Sequence, residues 1–166
     1  MKVLSHYHVS SEPVPVRVWV NNPVARRLVE SGQADSIATN DDAWTVGIGY
    51  LLGKPAPILP TSSNKFPAHL VTYVANRYLL DVTIDVASRP EKNIILPPLY
   101  LDVGKNFNSV GKWYSCNNHI TGISLQYSYA HELEGAWCHS PAWIDEKYME
   151  EPTRRIISAL REMGLE

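Results

Sequence analysis

In two segments of the chain an apolar side chain recurs at every second position, and this period of two constrains the fold more than any other feature. Residues 14–20 place a valine at every second position, and residues 123–129 place isoleucine, leucine and two tyrosines in the same way. A period of two is typical of β-strands that bury one face. Prolines at positions 13 and 15 favour a sheet edge or a strand start for the first segment.

Helical signals lie between and after these strands. Asn22 and Pro23 suit the N-cap and first position of a helix. The spacing of Leu70, Val71, Val74 and Tyr78 predicts a second helix, and that of Ile156, Ile157, Leu160 and Met163 predicts a C-terminal one. We therefore expect a single α+β domain over residues 1–166. It would contain a mixed sheet, two or three helices and a docked C-terminal helix.

The charge balance and the cysteine count exclude several classes of protein. Fifteen Lys and Arg against 17 Asp and Glu give a net charge of −2, so we expect no extended nucleic-acid surface. The chain lacks a run of about 18 apolar residues, so we expect no membrane span. Two cysteines are too few for a disulfide scaffold, and the first ten residues lack the apolar run of a signal peptide. These features predict a cytoplasmic protein with reduced thiols.

One segment is notable for its order of residues. Residues 34–38 read ADSIA, and residues 42–55 read DAWTVGIGYLLGKP. This run resembles a strand, loop and helix of the nucleoside 2-deoxyribosyltransferases. The matching positions are Ala43, Trp44, Gly47, Leu52, Gly53, Lys54 and Pro55. The catalytic glutamate of that family falls on Thr45, whose hydroxyl is a poor nucleophile at its free pKa.

The resemblance implies a definite geometry. Residues 34–38 would form an inner strand, residues 43–52 a helix, and residues 54–59 the start of the next parallel strand. Ligands of open α/β sheets bind beyond the carboxyl ends of the strands. The loop that carries Asp42 and Trp44 would therefore line the pocket. The implied activity is binding of a nucleoside-like ligand with little or no N-glycosidic cleavage.

Two His-x-Ser/Thr tripeptides, HVS at residues 8–10 and HIT at residues 119–121, indicate a different chemistry. In two-histidine phosphoesterases such motifs face each other across a groove. One histidine accepts a proton from a hydroxyl, the other protonates the leaving oxygen, and the hydroxyl side chains hold the phosphate. This alternative predicts that His8, Ser10, His119 and Thr121 are catalytic without a metal.

Residues 104–143 interleave amide, basic and aromatic side chains, which suits a pocket where rings stack on a base and amides read its edge. An aromatic-rich oligomer interface would have a similar composition. The predicted ligand contacts in this segment are Lys112, Trp113, Asn118, Glu132 and Glu134. If residues 132 and 134 lie on a strand, their carboxylates share a face, and crowding raises the pKa of one of them.

The same segment also holds the metal-capable residues Cys116, His119, Cys138 and His139. Only the first two have the spacing of a zinc site. Zinc therefore remains an alternative, and we expect a site without metal or cofactor. The leading functional interpretation is a protein that binds a nucleoside, a nucleotide or a similar small molecule. The alternatives are the metal-independent phosphodiesterase and a non-catalytic assembly subunit that forms homo-oligomers.

Overall fold

The computed structural model describes residues 2–51, 54–55, 68–90, 94–105, 107, 111–117 and 121–139, and residues 154, 157, 158 and 161. In chain order its α-helices and strands are α1 (Lys2–His6), β1 (Ser11–Asn21), α2 (Pro23–Glu30), β2 (Thr45–Ile48), β3 (Tyr50–Leu51), β4 (Lys54–Pro55), β5 (His69–Val74), β6 (Tyr78–Asp81), β7 (Leu99–Asp102), β8 (Trp113–Asn117) and β9 (Ser124–Tyr129). Four 3₁₀ helices span Ala34–Thr39, Ile84–Ala87, His131–Leu133 and Ala136–His139.

Seven of these strands form one sheet around β1. The order is β7-β6-β5-β1-β9-β8, with β2 also paired to β1, while β3 and β4 form a separate hairpin. Every pairing between the strands described is antiparallel. The α+β class is confirmed in this coarse form, but the expected parallel component of a mixed sheet is not found in the described part of the chain.

The two alternating segments form β1 and β9, as predicted. Val16, Val18 and Val20 are completely buried on one side of β1. They pack in a core with side chains from β5, β6, β9 and the following loops, including Val71, Leu79, Ile84, Phe107, Leu125 and Tyr127. The sheet curls toward a barrel around this core. We call the side of the sheet that carries these valines the core face.

The prolines of β1 lie where the strand has one neighbour. β5 pairs with Ser11–Val16 on one side, whereas β9 begins its pairing on the other side at Val16. The carbonyl of Pro15 accepts a bond from Ala130 N (3.0 Å), so the ring nitrogen of Pro15 points toward the β9 side. A missing N–H costs nothing there. Both prolines therefore lie near the start of β1, which is the central strand of the sheet.

Helix α2 begins as the sequence predicts. Asn22 Oδ1 accepts bonds from Ala25 N (2.8 Å) and Trp44 N (3.0 Å), and Asn22 Nδ2 donates to Asp42 O (2.7 Å). The same side chain therefore caps the helix and fixes the loop that enters β2. The helix ends at Glu30, and Gly32 follows with a φ of 74°. Glycine adopts this left-handed conformation without strain.

Four predicted elements are wrong. Residues 34–38 lie in a 3₁₀ helix instead of an inner strand, and residues 45–48 form β2 instead of a helix. β4 pairs antiparallel with β3, so it does not begin a parallel strand. The predicted helix over residues 70–78 is the hairpin of β5 and β6, whose turn holds Ala75 and Asn76 at positive φ. The strand, loop and helix that the resemblance to the deoxyribosyltransferases implies are therefore not found in the described residues, and the resemblance carries no further argument.

Most of the predicted C-terminal helix lies outside the described residues. Residues 154, 157, 158 and 161 are helical, and Arg161 Nη2 lies 3.4 Å from His6 Nε2 of α1. The helices in the described part of the chain are too short or too polar to cross a membrane.

Candidate functional site

The side of the sheet opposite the valines carries ordered rows of polar side chains, and we call it the polar face. The registers of β2, β1, β9 and β8 place Thr45, Asn21, Ser124 and Asn117 in one row, Gly47, Trp19, Gln126 and Ser115 in the next, and Arg17, Ser128 and Trp113 in a third. Thr45 Oγ1 donates to Asn21 Oδ1 across the first row (2.8 Å). Hydroxyl and amide groups are thus fixed on a rigid sheet.

A cleft of about 890 Å³ lies between this polar face and a wall formed by α2 and the 3₁₀ helix Ala34–Thr39. Its lining residues are Trp19, Asn21, Val29, Ala34, Asp35, Ile37, Ala38, Thr45, Trp113 and Gln126. The volume is in the range of small-molecule sites, which combine apolar walls with a few polar groups. A smaller pocket beside Arg26 and Glu30 shares Asn21, Val29 and Gln126 with the cleft, so the two are adjacent.

Trp19 is held in place by its neighbours. Its ring is stacked with Tyr50, with centroids 4.4 Å apart and planes at 29°. A Cβ added to Gly47 would lie 2.8 Å from Cζ3 of Trp19, so the indole fills the space that a side chain at position 47 would need. Tyr50 also hydrogen-bonds to Ser128, while burial raises the pKa of its hydroxyl. The indole edge that lines the cleft is therefore rigid.

The two predicted carboxylates do not form a pair. Glu132 forms an ion pair with the buried Arg17, whose guanidinium lowers the pKa of Glu132. Glu134 hydrogen-bonds to Tyr129 and contributes, after burial, to raising the pKa of that hydroxyl to about 12. The two residues flank Leu133 at the end of a 3₁₀ turn rather than on a strand. The predicted rise of a glutamate pKa by crowding is wrong for Glu132.

The other predicted ligand residues are spread over three places. Trp113 lines the cleft and is 46 % exposed. Asp42 and Trp44 line a separate pocket of about 350 Å³ at the start of α2, together with Thr121. Lys112 Nζ lies 4.9 Å from the centre of the Tyr114 ring. Asn118 lies outside the described residues.

The phosphodiesterase residues are not brought together as far as the structure describes them. His8 and Ser10 are exposed and precede the start of β1. Thr121 precedes Ser124, which pairs with Asn21 at the other end of β1. Eleven residues of strand separate the two places by roughly 30 Å. His119 lies outside the described residues, two positions from Thr121.

The core face holds a buried polar cluster that the sequence analysis missed. Asp81 is 1 % exposed, and its two carboxylate oxygens lie 2.8 and 2.9 Å from His69 Nε2. Tyr127 donates to Asp81 Oδ2 (2.8 Å), and Thr83 N donates to Oδ1 (3.2 Å). Burial, followed by the charge of Asp81, raises the pKa of Tyr127. The cluster therefore combines a buried carboxyl group with a histidine held in one orientation.

The cysteines show no zinc site within the described residues. Cys116 and Cys138 are both free, and burial raises the pKa of the Cys116 thiol. No group of three metal-capable side chains is found in that part of the chain. The side chains of His119 and His139 lie outside it.

Sequence reasoning missed Trp19, Asn21 and Gln126. Each belongs to the polar half of an alternating strand, and that half was assigned to solvent. The alternation of both β1 and β9 is the sequence signal that indicates this face. When two neighbouring strands alternate in register, the side chains that point away from the core lie together on one face of the sheet.

Comparisons with protein-family models, with curated proteins and with solved structures return no match for this chain. The functional argument therefore depends on the geometry alone.

Proposed function

We propose that the protein binds a small molecule with a flat polar ring, of the nucleoside type, in the cleft over the polar face. The observation that supports this proposal is the exposed indole of Trp113 beside a floor of amide and hydroxyl groups. Stacking of a base on an aromatic side chain contributes about 1–3 kcal/mol and tolerates many bases. Trp113 supplies the stacking surface in this proposal, and Gln126 and Asn21 supply hydrogen bonds in the plane of the ring.

In this proposal the protein binds the ligand and does not cleave it. Thr45 lines the cleft, and its hydroxyl donates to Asn21. No general base is found among the described residues that line the cleft, apart from the carboxylate of Asp35. An unactivated hydroxyl is a poor nucleophile.

A titration with matched aromatic variants tests the proposal. Guanosine, adenosine, cytidine and uridine are titrated while protein fluorescence and the melting temperature are followed, since a bound ligand stabilises the fold by mass action. Trp113→Ala should weaken binding tenfold or more. The control is Tyr100→Ala, which removes another exposed aromatic, on β7 and outside the cleft, and should leave binding unchanged. Equal effects of the two variants, or no binding by any nucleoside, would reject the proposal.

A second candidate function is favoured by the His69–Asp81 pair on the opposite face of the sheet. A carboxylate that accepts the Nε2–H of a histidine leaves the lone pair on Nδ1, which is the arrangement of a general base and its orienting group. The side chain of His69 is 7 % exposed and that of Asp81 is fully buried, so the pair is enclosed on the core face.

We propose for this pair the class of acyl transfer or hydrolysis. His69 Nδ1 takes the proton of a thiol or hydroxyl as its sulfur or oxygen attacks a carbonyl carbon. Asp81 stabilises the resulting imidazolium, which then protonates the leaving group. Cys116 is a weak candidate for the nucleophile, because burial keeps its thiol protonated.

Hydrolysis of p-nitrophenyl acetate tests this second candidate. His69→Gln should lower the rate 10²–10⁴-fold, the usual contribution of a general base. Tyr127→Phe is the control, because it removes a different bond to Asp81 and leaves the His69 contact in place. It should keep the rate within a few fold. Retention of the full rate by a folded His69→Gln protein, or no hydrolysis by the unmodified protein, would contradict the candidate.

A further inference from the structure

The cleft over the polar face carries an unbalanced charge. Asp35 is the one ionisable side chain among its described lining residues, and it lies in the first turn of the 3₁₀ helix that forms the opposite wall. Two cations near this part of the sheet have carboxylate partners of their own. Arg26 Nε lies 2.7 Å from Glu30 in the adjoining pocket, and Arg17 is paired with Glu132. The cleft therefore offers a carboxylate and no cation in its described part.

We infer that this cleft selects a ring that presents two adjacent N–H donors, as guanine does with N1–H and its 2-amino group. The inference rests on the proposed function, since it requires a ring stacked in the cleft. An ionised carboxylate has two acceptor oxygens and no donor, and it binds a pair of parallel N–H groups with charge-assisted bonds. Asp35 and Trp113 line the same cleft, so we assign the edge of a ring stacked on Trp113 to Asp35.

Other bases fit this carboxylate less well. Adenine and cytosine present an amino donor beside a ring-nitrogen acceptor, and uracil presents one N–H between two carbonyl groups. Each of these would place an acceptor lone pair against the carboxylate of Asp35. The polar groups of Gln126 and Asn21 can donate or accept, so they do not discriminate in this way. Asp35 is therefore the residue to which we assign the selection of the ring.

Calorimetric titration of guanosine, inosine and adenosine measures the selection directly. Guanosine should bind about tenfold or more tightly than adenosine, with inosine between them because it keeps N1–H and lacks the 2-amino group. Asp35→Asn should weaken guanosine binding about tenfold and leave adenosine binding within twofold. Asp42→Asn is the matched control, because it removes an equally exposed carboxylate that lines the separate pocket and not the cleft.

The possible outcomes separate this inference from the function on which it rests. If guanosine and adenosine bind equally and Trp113→Ala weakens both, the cleft binds rings but Asp35 does not select them. If N-methylpyridinium, a planar cation without N–H donors, binds more tightly than guanosine, the carboxylate recognises charge rather than a donor edge, and the inference is wrong. If none of the nucleosides binds, both the inference and the proposed function fail.

Discussion

At the scale of single residues, Gly47 shows how little space surrounds the tryptophan of the cleft. A methyl group at this position would lie 2.8 Å from Trp19 and 3.1 Å from Cδ2 of Tyr50. Gly47→Ala should therefore lower the free energy of unfolding by about 1–3 kcal/mol, the usual cost of overpacking. It should also displace the indole into the cleft and weaken nucleoside binding. Urea denaturation and ligand titration measure the two effects.

A second substitution shows whether the clash is the cause. In a Tyr50→Leu background the aromatic ring stacked with Trp19 is absent, so the indole can move away from a new methyl group. The additional cost of Gly47→Ala should then fall by half or more, as a coupling between contacting residues. An equal cost in both backgrounds would point to the backbone of β2 instead.

The charge of a single residue, Glu132, makes the free energy of unfolding depend on pH. Arg17 lowers its pKa in the folded state. The pair therefore stabilises the fold above the unfolded-state pKa of glutamate, about 4.3, and loses this effect as the pH falls through the lower folded pKa. Because the Glu132 side chain is 37 % exposed, the contribution is at most about 1 kcal/mol.

Removing the carboxylate tests this linkage. Glu132→Gln should be less stable than the unmodified protein at pH 7, and the difference should shrink as the pH approaches 3. Unfolding curves at several pH values measure this difference. The control is Glu30→Gln, which removes an exposed ion pair within α2. A difference that stays constant with pH would show that the charge of Glu132 is not responsible.

At the scale of elements, the start of α2 depends on Asn22. Its side chain caps the helix and also holds the loop before β2 through two further bonds. Asn22→Ala should cost about 1–2 kcal/mol, at the upper end for helix caps. Asn40→Ala is the control, because Asn40 accepts one backbone bond from Asp42 in the same loop without capping a helix. Chemical denaturation should show the smaller loss for Asn40→Ala.

Local patterns predicted the strands whose apolar side chains alternate regularly and failed where the apolar residues do not alternate in this way. The alternation of residues 14–20 and the cap at Asn22 are local signals, and both were read correctly. In β5, Val71 and Tyr73 are buried and Val74 is buried as well, so the apolar spacing imitates a helix. The turn between β5 and β6 uses Ala75 and Asn76 at positive φ, where a glycine would have indicated a hairpin.

The sequence predicted some residues of the candidate site and not others. Trp113 was identified from the composition around it, because aromatic and amide residues are close together in the sequence there. Trp19 and Asn21 lie more than 90 positions earlier and join the cleft only through the pairing of β1 with β9 and β9 with β8. Register between distant strands is not encoded in any local pattern, so the cleft could not be assembled from the sequence.

At the scale of the whole molecule, one buried cluster connects opposite parts of the curled sheet. His69 and Asp81 lie on the neighbouring strands β5 and β6, whereas Tyr127 lies on β9, beyond β5 and β1 in strand order. The Tyr127 hydroxyl therefore spans the core. Because Asp81 is buried as a carboxylate, each of its donors offsets part of the cost of removing that charge from water.

This role of Tyr127 predicts a loss of stability larger than that of an ordinary tyrosine hydrogen bond. Tyr127→Phe should lower the free energy of unfolding by about 1.5–3 kcal/mol, because the lost bond has a charged acceptor. Tyr73→Phe is the matched control, since Tyr73 donates to a neutral acceptor, the Gly104 carbonyl (2.9 Å), and should cost about 1 kcal/mol. In Asp81→Asn, which removes the charge, the cost of Tyr127→Phe should fall to the level of the control. Denaturation of the three single variants and of the Tyr127→Phe/Asp81→Asn double variant measures these costs. Equal losses for Tyr127→Phe and Tyr73→Phe would mean that the charge of Asp81 is compensated by His69 and Thr83 alone.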